Sequence, residues 1–569
     1  MWLGNSPRRI IVWMRLPCSF VVAAGVAAGF AAVPTTARAQ SDARSDTVAE
    51  RTVVVPATPD DERLRLDQLL GRSTTAGYLL RSPSATLGPL PPGDSGVRWA
   101  PLSPQLLVIR NSALPFSLNT GALSAGRGIS TQVTAGIQAQ WRSFSLVLAP
   151  SLIYEQNLGF LMPPGFWPAT DRSSWSSPWH DHPYSMDLPI RYGNRARLLI
   201  DPGQTSLTYR RGALAVGLAT ENRWWGPGVR NAILLSSNAA GFPHLFVRTG
   251  RPVHTRIGSF EAILLLGGLW ESRFFDTTST NDLRSYSALA VTWVPPGEPG
   301  LTLGLSRAVY APVSGWSGLP WRLFDAVFRR VGQPNSLPVS APDTTSGPDQ
   351  VFSLFARWLF PGDGLEAYAE WARYELPSSL RAILTSPGHT QGYTLGLQWA
   401  RPVGASGGAV RLQAEHTFLE QDPSFADQPL GSWYTSRAVD QGYTVLGKVI
   451  GATIGPGASS HWLAADYVGR RTQAGVFAGR IRWEDDTLYR IKGVNTGGNT
   501  WCSHDVSVFV GVRGGRATRY GAVSASLTLA RRWNLYFLHD TTCGDDRDPS
   551  RIVDRDNVTL EFRLAPRLR

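Results

Sequence analysis

The residues best suited to chemistry gather at Glu221-Asn222-Arg223-Trp224-Trp225-Gly226-Pro227-Gly228. Flat indole faces bind the C–H faces of sugar rings, while a neighbouring Arg, Asn and Glu bond hydroxyls or a carboxylate. The same cluster reads equally as an interfacial aromatic girdle at a tight turn, because it ends a strand and Gly-Pro-Gly closes it. A long connection at 157–202 adds Phe160, Phe166, Trp167, Trp175, Trp179, His180, His182 and Tyr184. Of these, Trp175, Trp179 and Tyr184 extend the candidate glycan-binding set.

Other chemistries find less support. Glu366 and Glu370 share a strand face with Tyr368, but Cα atoms four residues apart on a strand lie ~13 Å from each other. Glycosidase carboxyl pairs need ~5–9.5 Å. Lumen-lining or ligand-binding carboxylates are the favoured reading. His180-Asp181-His182 diverges on an extended segment and reads as a solvated loop rather than a metal chelate. His244, His254, His389 and His416 stand alone. The sequence has no H-E-x-x-H and no phosphate loop. No catalytic residue, metal or cofactor is expected.

The elements that position these residues show a period of two from about Gly128 onward. Arg411, Gln413, Glu415 and Thr417 alternate with Val410, Leu412, Ala414, His416 and Phe418. Val506, Val508, Val510 and Val512 share a face, and so do Phe352, Leu354, Ala356, Trp358 and Phe360. About eighteen such segments are expected: 127–140, 142–154, 203–210, 212–222, 255–268, 284–294, 300–310, 350–360, 364–375, 391–401, 407–419, 441–449, 459–470, 474–484, 503–513, 518–529, 531–540 and 556–564. Many exceed the ~5–6 residues of an average soluble strand. Aromatics sit at segment ends, as at Trp293, Trp358, Trp371, Trp399, Trp483 and Trp533. A closed antiparallel transmembrane β-barrel accounts for this pattern. A secreted sandwich, propeller or β-helix is the competing fold, although no fixed-period repeat supports the last two. Ahead of the barrel, Asp60 to Leu80 spaces its leucines for one or two short helices, and 83–104 reads as loop.

The start of the chain points to export. Arg8, Arg9 and Arg15 precede an apolar run from Phe20 to Val33, and Ala37-Arg38-Ala39 resembles a cleavage site. The expected organisation is a signal peptide at 1–39, a linker and short helical periplasmic element at 40–120, and an outer-membrane barrel at 121–569. Cys502 and Cys543 remain in the mature chain, with pairing left open. The 569 residues are 17% charged, with 57 Gly, 41 Pro, 21 Trp, 16 Tyr and 22 Phe, which excludes a disordered chain. Three cysteines exclude a disulfide scaffold. The formal net charge is +12, carried almost wholly by Arg. That excess fits either an acidic polymer or lipid headgroup as partner, or GC-rich codon usage. Nucleic acid is not expected of an exported chain.

Glu221 to Gly228, followed by Asn231-Ala232-Ile233-Leu234-Leu235-Ser236-Ser237-Asn238-Ala239, resembles the signature of the Wzi-type capsule assembly family of bacterial outer-membrane proteins. Supporting stretches are Asn111-Ser112-Ala113-Leu114-Pro115-Phe116, Leu365-Glu366-Ala367-Tyr368-Ala369-Glu370-Trp371, His389-Thr390-Gln391-Gly392-Tyr393, Gln441-Gly442-Tyr443 and Ile454-Gly455-Pro456-Gly457. The resemblance runs from about residue 62 to the C-terminus. It implies an eighteen-stranded barrel with a small helical periplasmic element, acting as a surface lectin for exported polysaccharide. Two features depart from the family: seven residues follow Phe562, and extra loop material lengthens the chain.

The resulting expectation is a non-enzymatic, monomeric outer-membrane barrel. It would bind capsular or exopolysaccharide and help assemble or retain it, with outer-membrane lipids as its surroundings. The candidate glycan-binding residues are Glu221, Asn222, Arg223, Trp224, Trp225, Trp175, Trp179 and Tyr184. A porin or substrate-specific channel is the first alternative, and an outer-membrane hydrolase the second.

Overall fold

The computed structural model describes residues 51–90, 96–163, 175–180, 184–336, 347–377, 379–404, 407–422, 430–487, 504–537 and 553–567. The export signal and the two late cysteines lie outside them.

Alternation of apolar and polar residues closes the chain into an antiparallel barrel of 18 strands. In order they are β1 (Val97–Asn111), β2 (Gly128–Trp141), β3 (Phe144–Leu148 and Ser151–Glu155), β4 (Arg197–Asp201 and Ser206–Arg211), β5 (Leu214–Ala219), β6 (His244–Thr249 and Val253–Thr255), β7 (Gly258–Trp270), β8 (Leu283–Val294) and β9 (Leu301–Pro312). There follow β10 (Asp349–Phe360), β11 (Leu365–Arg373), β12 (Gln391–Val403), β13 (Gly408–Phe418), β14 (Ser459–Val468), β15 (Thr472–Trp483), β16 (Asp505–Thr518), β17 (Gly521–Trp533) and β18 (Arg555–Pro566). Breaks at 149–150, 202–205 and 250–252 divide β3, β4 and β6 without breaking the ring, and β1 pairs with β18 to close it.

The faces are inverted relative to a soluble protein. On β13 the polar set Arg411, Gln413, Glu415 and Thr417 is buried in the lumen, whereas Leu412 is exposed outside. Leu354, Trp358, Val510, Val512, Leu463, Val558, Leu560 and Phe562 likewise face outward. Trp99, Trp141, Phe144 and Trp358 mark one rim of this apolar belt, and Tyr154, Trp371 and Trp533 the other. An apolar outer band between aromatic girdles is the surface a lipid bilayer solvates, so the barrel spans an outer membrane.

Strand bounds fix the orientation. Short turns, such as 142–143, 212–213, 256–257 and 519–520, all lie at the end that holds both chain termini. Every long connection, including 156–196, 220–243, 313–348 and 419–458, lies at the opposite end. Short turns are periplasmic and long loops extracellular in such barrels.

Four sequence expectations need correction. Val97–Asn111 is the first barrel strand and not loop, so the barrel begins before residue 121. Its alternation is hidden by Pro101, Pro104 and a bulge between Leu102 and Gln105 that shifts the register. The segment 244–255 is also a strand. By contrast, 441–449 is a small hairpin inside the lumen, pairing Thr444–Val445 with Lys448–Val449. Residues 535–537 form a short helical turn after β17 and not a further strand. Sixteen of the expected segments are barrel strands; two gains and two losses leave the total unchanged.

The helical expectation at 60–80 corresponds to α1 (Pro59–Leu69). Leu66 and Leu69 pack on Leu359, Ala400, Ala409 and Val468, all near the periplasmic rim. Around α1, residues 51–90 line that mouth from within. Arg51 accepts at its carbonyl from Ser103, Gly77 donates to Glu261, Ser84 donates to Glu221, and Arg51 reaches Gln138.

Candidate functional site: a carboxylate-held plug

Between β5 and β6 the chain leaves the wall and crosses the lumen. Its residues 221–240 are almost all buried, with Trp224 at 0% and Trp225 at 1% exposure. Trp224 and Trp225 pair in antiparallel fashion with Arg81 and Leu80, joining the plug to the N-terminal lining. The Arg81 guanidinium lies 5.1 Å from the Trp224 ring and 4.5 Å from the Tyr78 ring. Gly226 adopts φ +99°, and a Cβ at Gly228 would fall 1.8 Å from the Asn231 carbonyl oxygen. Glycine is therefore required at both positions for the turn to fold back inside the barrel.

Wall glutamates hold this turn. Glu415 on β13 accepts main-chain N–H bonds from Val229 (2.5 Å), Arg230 (3.0 Å) and Asn231 (2.9 Å), and the Tyr368 hydroxyl donates to it at 2.8 Å. Three successive N–H groups form an anion-binding nest, filled here by the barrel's own carboxylate. Glu370 on β11 accepts from Ile233 N at 3.2 Å. Glu366, two pleat repeats away, takes the guanidiniums of Arg65 from α1 and Arg357 from β10. The lumen-facing glutamates are thus structural acceptors with assigned donors.

A charge network ties plug, helix and wall together. Glu62 on α1 lies 2.5 Å from Arg230 of the plug and 2.6 and 3.1 Å from Arg411 and Arg513 of the wall. Asp466 completes it, 2.8 Å from Arg411 and 2.7 Å from Arg513. Burial alone would raise the Glu62 carboxyl, but the three guanidiniums outweigh it and hold it well below the usual range. Arginines are used inside the lumen in this way, where the planar fork suits bidentate pairing.

The expected glycan-binding residues fall out differently from the sequence reading. Glu221 bonds Ser84 N and Arg223, Asn222 exchanges bonds with Gln204, and Arg223 donates to His244. Burial pushes the Arg223 guanidinium down to about 10. Together with Trp224 and Trp225 these residues are the plug's own packing, and of the five only Asn222 borders the periplasmic-side cavity of about 310 Å³. Trp179 is buried edge-on against Phe537, and Tyr184 is buried beside Gly431. Trp175 alone of the eight is half-buried rather than buried, with the Arg191 guanidinium 5.7 Å from its ring on the same extracellular connection. His180 is fully buried with Nε2 2.7 Å from Glu484, contrary to the solvated loop expected of it. Among the described residues no cluster of His, Cys, Asp and Glu could hold a metal.

Sequence reasoning also passed over an element on the barrel's outside. Residues 316–328 lie against β8 and β9, where the Ser287 hydroxyl bridges Leu323 O and Ala326 N, and Arg307 donates to Ala326 O and Arg329 O. Trp316, Trp321, Phe324 and Phe328 are exposed, with the Trp316 ring 4.9 Å from that of Trp270 on β7, the composition of an interfacial membrane anchor. The aromatic density of 316–328 was the available signal.

Beside the plug, polar space remains on the periplasmic side. A cavity of about 310 Å³ is bordered by Gln105, Gln132, Thr134, Gln204, Gln473 and Arg563, and one of about 140 Å³ by the Glu62 network.

No family model and no curated protein matches the chain. Among solved structures the fold is similar to Wzi of Escherichia coli, described as an outer membrane protein involved in group 1 capsule assembly and a carbohydrate-binding β-barrel. The identity is 10%, the match covers 82% of this chain and 85% of that one, and the TM-score is 0.51. Acinetobacter baumannii OccAB2 matches at 8% identity over 81% and 97% of the two chains with TM-score 0.37. A BenF-like porin from Pseudomonas fluorescens Pf-5 matches at 9% over 83% and 98% with TM-score 0.35. The first likeness agrees with the closed barrel derived above, and the chain has the fold of an outer-membrane protein.

Proposed function

We propose that the protein is a non-enzymatic surface lectin that binds capsular or exopolysaccharide and helps retain or assemble it. The carrying observation is the plug: a lumen crossed by main chain bonded to Glu370 and Glu415 favours a rigid display platform over a wide pore. Rigid strands then hold the long extracellular connections, where Trp175 and Arg191 offer a ring face beside a hydrogen-bonding guanidinium. The carbohydrate-binding description of the structurally similar Wzi barrel supports the same reading. Weak single-sugar contacts repeated along a polymer gain strength through multivalency.

The test is retention of polysaccharide on cells and binding of the purified polymer to the detergent-extracted barrel. Trp175→Ala is expected to lower binding at least threefold with unchanged stability. Trp224→Ala and Trp225→Ala are expected to act on stability first, because each empties a buried indole site. Undiminished binding by Trp175→Ala would remove that residue from the site, and no polymer binding by the parent protein would overturn the function. The polar cavities beside the plug favour a second reading, passage of small solutes, which conductance measures directly.

A further inference from the structure

Strands β5 and β6 stop early. Ala219 at the end of β5 and His244 at the start of β6 are cross-strand partners, and the chain between them is the plug. β4 continues above this level as Arg197–Asp201, bonded to β3 on one edge and to no strand on the other among the described residues. β7 also continues upward, as Gly268–Trp270 paired with β8. Two missing strands leave three inter-strand spacings, about 14 Å, between the facing edges.

This window lies at outer-leaflet depth. Leu198 and Ile200 stand beside it at 68% and 83% exposure, paired across β3 with Tyr154 of the upper girdle and with Leu152. A cavity of about 490 Å³ opens there, bordered by Tyr192, Arg197, Ile200, Arg273, Leu446 and Lys448. The tip of the lumen hairpin spans it: Leu446 N donates to Trp270 O at 2.8 Å, and the Tyr192 hydroxyl donates to Gly447 O at 2.7 Å. Leu446 has φ +49° and Gly447 φ +83°. Such a turn ordinarily uses Asn, Asp or Gly at both positions, so a branched apolar residue is held there at a conformational cost. Its side chain is 47% exposed in the wall's gap.

A free strand edge facing hydrocarbon is costly, so the occupant must bring polar groups as well as chains. Basic groups stand where headgroups lie. Arg273 and Arg195 are exposed and form no ion pair among the described residues. Glu271 and Asp201 also border the cavity; burial pushes the Glu271 carboxyl up to about 8, which lessens its opposition to an anion, and Asp201, four residues below Arg197 on β4, accepts from Gly203 N at 2.9 Å.

We propose that the window between β4 and β7 is a lateral lipid site, seating an acylated amphiphile of the outer leaflet with its phosphate headgroup at Arg195 and Arg273 and its chains against Leu198, Ile200 and Leu446. The site does not rest on the polysaccharide reading.

Native mass spectrometry of the detergent-extracted barrel with phosphatidylglycerol tests it, with a galactosyl diacylglycerol of the same chains as the phosphate-free control. The expected result is one retained phosphatidylglycerol per barrel and at least tenfold less galactolipid. The Arg195→Ala/Arg273→Ala variant should lose the adduct about tenfold, while Arg210→Ala/Arg211→Ala, at the other end of β4, keeps it. Leu446→Asn, which suits the turn, should also lower retention, whereas a purely structural Leu446 would leave it intact. Equal retention of both lipids, equal loss in both arginine variants, unchanged retention in Leu446→Asn, displacement by excess glycerol 3-phosphate, or no adduct would each overturn the proposal.

Discussion

A nest of three N–H groups around one carboxylate makes Glu415 the residue on which the plug's position most depends. Glu415→Ala leaves Val229, Arg230 and Asn231 N–H and the Tyr368 hydroxyl without their acceptor in a dry interior. The expected loss is about 2–4 kcal/mol, given the cost of orphaned buried donors. Glu415→Gln keeps one carbonyl oxygen and should lose roughly half as much. Urea unfolding of the barrel in detergent, followed by the heat-modifiable band on gels, measures both. Formate, small enough to enter the emptied nest, should restore part of the loss in Glu415→Ala and none in the parent protein. Trp224 and Trp225 belong to the same scale: truncating a fully buried indole costs about 3–5 kcal/mol, which separates them from the half-buried Trp175.

At the scale of elements, α1 is held by charge more than by its own helical tendency, since Glu62 meets three arginines while the helix has no side-chain N-cap bond. The folded carboxyl titrates below its unfolded value, so the unfolded state binds more protons in the window between them. The stability it contributes is complete above about pH 4.3, the ordinary glutamate value, and is lost as pH falls through the folded value. Pepsin cleavage within 59–69 should therefore stay slow at pH 4 and rise steeply only in stronger acid. Glu62→Gln should be cleaved readily at pH 4 already. The elements differ in how openly the sequence declares them. β13 and β18 alternate cleanly because one face meets lipid and the other water or plug. β1 does not, because its inward Leu107 and Ile109 pack on Leu123 and Ile153, so both faces are apolar, and because its bulge resets the period. The hairpin 444–449 alternates as a wall strand would, yet Thr444, Val445 and Val449 are all buried, and periodicity carries no record of which side is lipid. The same blindness applies to the site. Trp224-Trp225-Gly226-Pro227-Gly228 stands out as a special turn, but an aromatic turn packed in a lumen and one displayed to sugars share a composition. Only the lumen-facing Glu366, Glu370 and Glu415, three acceptors in want of donors, hinted that something inside the barrel would meet them.

For the whole molecule the question is how much of the lumen conducts. An unplugged barrel of 16–18 strands encloses an aqueous channel. Here α1, the N-terminal lining and residues 221–240 occupy its interior, and the spaces left on the periplasmic side are separate cavities of about 420, 310 and 140 Å³. None is bounded like a wide pore, because the plug is fixed to its surroundings: its main chain to β11 and β13 through Glu370 and Glu415, and its Arg230 side chain to α1 through Glu62. In planar bilayers the parent protein should accordingly show conductance close to baseline. Removing Glu370 and Glu415 together takes away the carboxylates that hold the turn at 228–233 to β11 and β13 while leaving every strand pairing in place, so the double alanine variant should insert normally and show large, fluctuating steps. The two outcomes bear on function differently. Steps confined to the variant would mean that the carboxylates keep an otherwise capacious barrel shut, as a surface-binding role requires. Steady large steps in the parent protein would make the cavities beside the plug a continuous path, and the solute-passage reading would replace the lectin.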